Sequence, residues 1–215
     1  MASRIVVLIS GSGSNLQALI DAASTPALPN GRIVHVISNR KAAYGLTRAA
    51  NASPPIPTSY HGFPPYKTSH PEDPRGSYDA DLAKIILNLP EAQYPDLIVC
   101  AGWMHILSPK FLEPIEGAGI PIINLHPALP GAFDGAGAIE RAWEAFKSDQ
   151  ITETGVMIHY VIKEVDRGEP IVVKKVELKA GESLEDLTER IHAIEHVAIV
   201  EGAKLALEKK QTGGS

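Results

Sequence analysis

RIVVLISGSGSNLQALIDAA, Arg4–Ala23, is the stretch that decides the fold. Its first seven residues, Arg4–Ser10, form an unbroken and largely β-branched run, the pattern of a strand buried on both faces. Glycines then break the run in GSGSN, and LQALIDAA continues with helical character. A buried strand that turns through glycines into a helix is the opening unit of a parallel α/β sheet. The pattern recurs downstream. Arg32–Ser38 and Asp96–Ala101 read as the second and third strands, and Pro121–Asn124 as the fourth. Tyr44–Asn51 reads as a short helix, and Asp79–Leu89 as an amphipathic one with Leu82, Ile85, Ile86 and Leu89 on a single stripe.

The character changes after residue 150. Thr154–Lys163 and Pro170–Leu178 are longer strand patterns joined by a short charged turn, which predicts an antiparallel pair. Ser183 to about Leu207 reads as a long helix, opened by Ser183 with Asp186 three residues on as a capping box. The predicted fold is α/β and Rossmann-like: a mostly parallel sheet flanked by helices, with a C-terminal antiparallel strand pair and a long final helix. One domain is expected over residues 1–210, with 211–215 a disordered tail. Ser53–Gly76 holds seven prolines and no clear period, and reads as a long mobile loop in which His61 and His70 face solvent.

Composition excludes several classes. A formal charge of −5 and no dense basic run argue against a nucleic-acid surface. Cys100 is the only cysteine, so no intrachain disulfide can form, and its setting DLIVCAG reads as core. No run of about eighteen apolar residues is present, and no leader precedes the first strand, so a soluble, cytoplasmic protein without membrane contact is expected. Eight histidines include His192 and His196 around Glu195, but not in the His-Glu-x-x-His order of a zinc helix, and no metal is expected; His159, in GVMIHYVI, reads as a strand residue packed near the site.

The glycine loop Ser10–Asn15 invites an anion, because glycines admit close approach and a helix N-terminus offers unpaired N–H groups. A dinucleotide is disfavoured. Its fingerprint wants a third glycine where Leu16 stands and an acidic residue ending the second strand, which here ends Ser38-Asn39-Arg40. A P-loop is disfavoured for want of Gly-Lys-Ser/Thr. A phosphate monoester on a smaller substrate fits better, against the alternative of a tight turn with no ligand.

The second candidate site is INLHPALPG, Ile123–Gly131, where Asn124 and His126 sit two apart at the end of a strand and so face one side. Pro127, Pro130 and Gly131 restrict the loop that follows, and Asp166 in EVDRGEP is placed to deliver a carboxylate to the same cleft. Acyl transfer needs such parts: amide and imidazole donors for an oxyanion, a histidine to move protons, and a carboxylate to orient it. Taken alone, Asn124 and His126 serve equally well as caps that satisfy loop backbone.

Four motifs in order, VVLISGSGSNLQALIDA, AGWMHILSP, INLHPALPG and VDRGEPI, make the chain resemble the glycinamide ribonucleotide formyltransferases, the folate-dependent transformylases of purine synthesis. The resemblance runs from Arg4 to about Leu207, and WMHIL with the FDG after LHPALPG resembles the fungal branch. It implies 10-formyltetrahydrofolate as co-substrate and phosphoribosylglycinamide as acceptor, both small molecules. It places Gly11, Gly13, Ser14 and Asn15 at the substrate phosphate, and Glu195 with His192 beside it at the substrate ribose. Asn124, His126 and Asp166 match the catalytic trio. Met104, His105, Ile106 and Leu107 match one wall of the folate pocket, Ile162, Lys163, Glu164 and Val165 the other, and Arg75 an arginine that approaches the folate. His105 stands where bacterial members carry arginine, and the loop after Asp134 lacks a histidine that many relatives have. Rival readings are another formyl-folate enzyme, such as a hydrolase or tRNA formyltransferase, whose added domain is not evident, and a non-catalytic phosphosugar-binding module.

Overall fold

The computed structural model describes residues 2–212, which form one seven-stranded sheet flanked by helices on both faces. The strands are β1 Ser3–Ile9, β2 Gly31–Ser38, β3 Thr58–Tyr60, β4 Leu97–Cys100, β5 Ile122–His126, β6 Glu153–Tyr160 and β7 Pro170–Glu177. The helices are α1 Ser14–Ala22, α2 Tyr44–Asn51, α3 Tyr66–Ser69, α4 Pro74–Leu87, α5 Pro109–Gly117, α6 Ala138–Lys147 and α7 Leu184–Thr212. The sheet order is β3-β2-β1-β4-β5-β6-β7; β1 to β5 are parallel, and β6 runs antiparallel to both β5 and β7.

The central strand shows why the run Arg4–Ser10 is apolar throughout. Ile5, Val7 and Ile9 point to the core beneath α1 and α7, whereas Val6 and Leu8 point to the core beneath α4 and α5. From β1 the chain lays down β2 and β3 on one side, then returns to place β4 on the other. The crevice between the ends of β1 and β4 is therefore the topological switch point, where sheets of this kind hold ligands.

Three expectations need correction. Ser53–Gly76 is not a structureless loop: it supplies edge strand β3, the turn α3 and the start of α4. An edge strand tolerates neighbouring prolines, and Asp73 caps α4 by accepting from Gly76 N at 2.9 Å with Pro74 at the first helical position. His61, expected to face solvent, is buried, stacks on Tyr78 at 4.3 Å, and its Nε2 contacts the Tyr78 carbonyl at 3.0 Å. Gln211 and Thr212, expected in a disordered tail, continue α7, with Gln211 Nε2 donating to Ser3 Oγ at 3.2 Å; residues 213–215 lie outside the described residues. The capping box of α7 forms as expected: Ser183 Oγ donates to Asp186 Oδ2 at 2.6 Å, and Asp186 N donates back to Ser183 Oγ at 3.1 Å. Among the described residues no helix is long and apolar enough to cross a membrane.

Candidate active site

The ends of β1, β4 and β5 converge on the switch point, and each brings one of the predicted sequence features. After β1 the chain enters the glycine loop. Gly13 caps α1 with φ +71, a conformation that favours glycine, and a Cβ there would lie 2.6 Å from Gly45 Cα. Gly45 N also donates to the Gly11 carbonyl at 3.1 Å, so α2 is clamped against the loop through two glycines. Gly11 is exposed, and a Cβ on it would meet nothing within 4 Å, so the protein's own packing does not demand glycine there.

Asn15 reaches the other way. Its Nδ2 donates to Glu195 Oε2 on α7 at 3.0 Å, and its own Oδ1 is buried with no partner. Glu195 is only 5% exposed, and burial pushes its carboxyl above the usual carboxylate range, partly offset by the Asn15 hydrogen bond and by His192. A buried carboxylate beside an orphaned acceptor is costly unless a donor arrives. His192 is exposed on the same helix; His196 is half-buried, with its ring pulled down by burial and by the charges of His192 and Arg48. Arg48, which sequence reasoning passed over, donates from Nε to the Ser12 carbonyl at 2.9 Å and lies over the Tyr44 ring at 5.0 Å. The Tyr44–Arg48 spacing of four on a helix was the available signal.

After β4 the chain forms the wall Met104–Leu107. Its side chains alternate: Met104 and Ile106 are 67% and 51% exposed, whereas Leu107 is buried and His105 turns inward. The His105 ring sets Nε2 2.8 Å from Asp79 Oδ1, and Ser108 N donates to Asp79 Oδ2 at 2.7 Å. Asp79 is wholly buried, so the His105 ring is engaged with a hidden carboxylate rather than presented to the cleft. Ser10 Oγ accepts from Met104 N at 2.7 Å, which fastens this wall directly to the glycine loop. Arg75 stands exposed in the first turn of α4, and Ile162, Lys163 and Glu164 are exposed and Val165 half-buried in the turn after β6.

β5 extends to His126, so Asn124 and His126 both belong to the strand and share one face. The antiparallel register sets His159 directly across from Asn124. The turn after β6 brings Asp166 over all three, with Asp166 in a left-handed conformation at φ +55. Asp166 Oδ1 lies 3.3 Å from Asn124 Nδ2 and 3.4 Å from His159 Nε2; Oδ2 accepts from Gly135 N at 2.8 Å and lies 3.4 Å from His126 Nδ1. Burial pushes this carboxyl up, but the His159 ring, the Gly135 N–H and the His126 ring pull it down further, and the net shift is downward. His126 is 3% exposed, and its Nε2 lies 3.2 Å from the Ala132 carbonyl. His159 donates from Nδ1 to the Tyr160 carbonyl at 2.8 Å, which leaves Nε2 to accept from Asn124 at 3.2 Å when the ring is neutral or to face Asp166 when it is charged. Sequence reasoning placed His159 on a strand near the site without giving it a part in it. Its partner in the register is the signal that was missing. Among the described residues no group of three or more His, Cys, Asp or Glu could hold a metal ion.

A sheet switch point bordered by a glycine loop on one side and by an amide, two imidazoles and a carboxylate on the other is the framework of a group-transfer enzyme. The chain belongs to the formyl transferase family, which matches residues 3–202. It is 56% identical over 203 residues to the phosphoribosylglycinamide formyltransferase of Schizosaccharomyces pombe, covering 94% of this chain and 95% of that protein. It is 50% identical over 218 residues to the enzyme of the same name from Saccharomyces cerevisiae, covering 96% and 98%. The crystal structure of glycinamide ribonucleotide transformylase 1 from Symbiobacterium toebii superposes with a TM-score of 0.81 at 35% identity, covering 96% of this chain and 88% of that one. The family implies a folate-derived formyl donor.

Proposed function

We propose that this chain transfers the formyl group of 10-formyltetrahydrofolate to the amine of 5-phosphoribosylglycinamide, a step of de novo purine synthesis. The observation that carries the reading is Asp166: one carboxylate lies within 3.4 Å of both His126 and Asn124 at the edge of the switch-point cleft. The family and the names of its relatives supply the reaction class.

The substrate phosphate sits on the glycine loop, against Gly11, Gly13, Ser14 and Asn15 at the N-terminus of α1. The ribose hydroxyls meet Glu195, with His192 beside it, and relieve the buried Asn15 Oδ1. The folate ring lies between Met104 and Ile106 on one side and the Ile162–Val165 turn on the other, with Arg75 at the outer end. His105 and Leu107 contribute backbone here and hold the wall from behind.

The glycinamide amine attacks the formyl carbon, and the carbonyl oxygen becomes an oxyanion. Asn124 and His126 are the donors for it. Both nitrogens of His126 face protein oxygens, those of Asp166 and Ala132, and only the doubly protonated ring satisfies both. The arriving oxyanion takes the place of one of these acceptors. As the intermediate collapses, the bond between the formyl carbon and the folate nitrogen breaks and His126 supplies the proton that this nitrogen needs; the proton lost by the attacking amine returns the ring to its charged form, which Asp166 favours. The lone, buried Cys100 has its thiol pushed up to about 12 by burial, takes no part, and suits a reducing, cytoplasmic setting.

The test is direct. Purified protein mixed with both substrates is expected to yield formylated glycinamide ribonucleotide. Binding of both without product would reduce the chain to a phosphosugar-binding module.

A further inference from the structure

The loop Gly131–Gly137 is not self-supporting. Gly131, Phe133, Gly135 and Gly137 all have positive φ, at 78°, 52°, 81° and 68°. Apart from Ala132 N donating to the Leu129 carbonyl and Arg141 N donating to the Gly137 carbonyl, each at 3.0 Å, what fastens it comes from side chains outside it. Arg141 on α6 donates to the Phe133 carbonyl and, at 2.8 Å, to the Asp134 carbonyl. Arg167 grips Asp134 Oδ2 with both Nε at 2.7 Å and Nη2 at 2.6 Å.

This loop makes two contacts with the reacting pair. The Ala132 carbonyl faces His126 Nε2, and Gly135 N donates to Asp166 Oδ2. The residues pair crosswise: Asp134 with Arg167, and the next residue Gly135 with the preceding residue Asp166. The ion pair and the catalytic hydrogen bond are thus two adjacent rungs joining the same two segments. If the first rung opens, only Arg141 on the Phe133 and Asp134 carbonyls still steadies this part of the loop, from the α6 side and not from the Asp166 turn, and glycine at φ +81 imposes no conformation of its own.

We infer that Arg167 is a positioning residue: its ion pair with Asp134 clasps the Gly131–Gly137 loop to the Asp166 turn and so keeps the Gly135 N–H on Asp166 and the Ala132 carbonyl on His126. The inference rests on the reading of His126 and Asp166 as the reacting pair. The groups facing Asp166 are His126 from β5, His159 from β6, the Asn124 amide and the Gly135 N–H; Glu164 and Arg167 share its own turn. Of these, the clasp controls only the Gly135 bond. Opening it removes a donor that favours the carboxylate, so the acid limb of the rate profile moves to higher pH. The pair is partly exposed and both guanidinium nitrogens share one carboxylate oxygen, so the effect is modest, on the order of three- to ten-fold.

The experiment compares wild type with Arg167→Ala, Asp134→Asn, Arg167→Lys and the charge swap Asp134→Arg with Arg167→Asp. Arg167→Ala and Asp134→Asn are expected to lower kcat by roughly three- to ten-fold with KM for both substrates nearly unchanged. The acid limb moves up, Arg167→Lys recovers part of the rate, and the swap recovers more than either single reversal. Added salt reproduces the loss in wild type but not in Arg167→Ala, because it screens the same pair. Unchanged kcat and pH profile in Arg167→Ala overturns the inference, and so does a loss that appears equally in KM or only as lowered thermal stability. Amide exchange at Gly135 in the ligand-free protein reads the clasp without the reaction. Faster exchange in Arg167→Ala supports it even if wild type forms no product, and unchanged exchange overturns it even if wild type is active.

Discussion

The cleft is bordered by two glycine-bearing loops of similar length, and they are held by different physics. The loop Ser10–Asn15 is fixed by contact: Gly13 touches Gly45 backbone, Gly45 N bonds Gly11 O, and Ser10 Oγ holds Met104 N. Close packing is stiff, because displacing it by a fraction of an ångström forfeits contacts on both sides. The loop Gly131–Gly137 is fixed by charge and hydrogen bonds from Arg141, Arg167 and Asp166, with no backbone packed against its glycines. Such contacts can be exchanged for a ligand at little cost. In the proposed reaction, the loop assigned to the unreacting phosphate is the rigid one, and the loop beside the developing charge is held by partners that a substrate can replace.

The sharpest separation of the two ends is kinetic. Asn124→Ala, His126→Ala and Asp166→Asn are each expected to lower kcat by about 100- to 1,000-fold, with KM for the phosphorylated substrate little changed. Near-wild-type kcat in all three would place the chemistry elsewhere.

Gly13→Ala and Gly135→Ala test the packing difference. Both sites have positive φ, but only Gly13 meets backbone, at 2.6 Å. Gly13→Ala should cost about 2–4 kcal/mol in urea unfolding and raise KM for the phosphorylated substrate, whereas Gly135→Ala should cost about 1–2 kcal/mol. Equal losses would erase the distinction between the loops. Ser10→Ala removes the acceptor of Met104 N and should raise the folate KM several-fold for a loss of about 1 kcal/mol, without moving KM for the phosphorylated substrate. A shift in both constants would mean that the two subsites are not separately held.

Glu195→Gln should show the smallest effect on the fold, and its sign depends on pH. Burial raises the folded carboxyl above its unfolded value, so the native protein retains a proton that the unfolded chain has lost. Stability is then greatest below the ordinary glutamate range and falls as pH rises through the raised folded value. The variant should match wild type near the acid end and melt a few degrees higher at neutral pH, while binding the substrate more weakly. Parallel melting curves across that range would show that Glu195 carries no buried charge.

The same contrast explains what was legible in advance. Strand and helix positions in the parallel half could be read within a few residues, because β1 and α1 advertise their burial by residue type alone. α5 was hidden by Pro114 inside it, and the Pro-rich segment by prolines that only an edge position explains. Asn124, His126 and Asp166 were named from motifs, and the structure brings them together. His159 needed the β5–β6 register, Arg48 the close approach of α2, and Arg167 the folded-back turn. The inward turn of His105 depended on Asp79, distant in sequence and silent in pattern.

The amino-acid sequence by itself determined the sheet, the glycine loop and which residues could carry out the chemistry, because periodicity and local backbone preference act over a few residues. Only the tertiary structure decided which carboxylate each ring meets. Asp79 takes His105 and Asp166 takes His126, since a hydrogen bond forms or fails over tenths of an ångström that no local rule specifies.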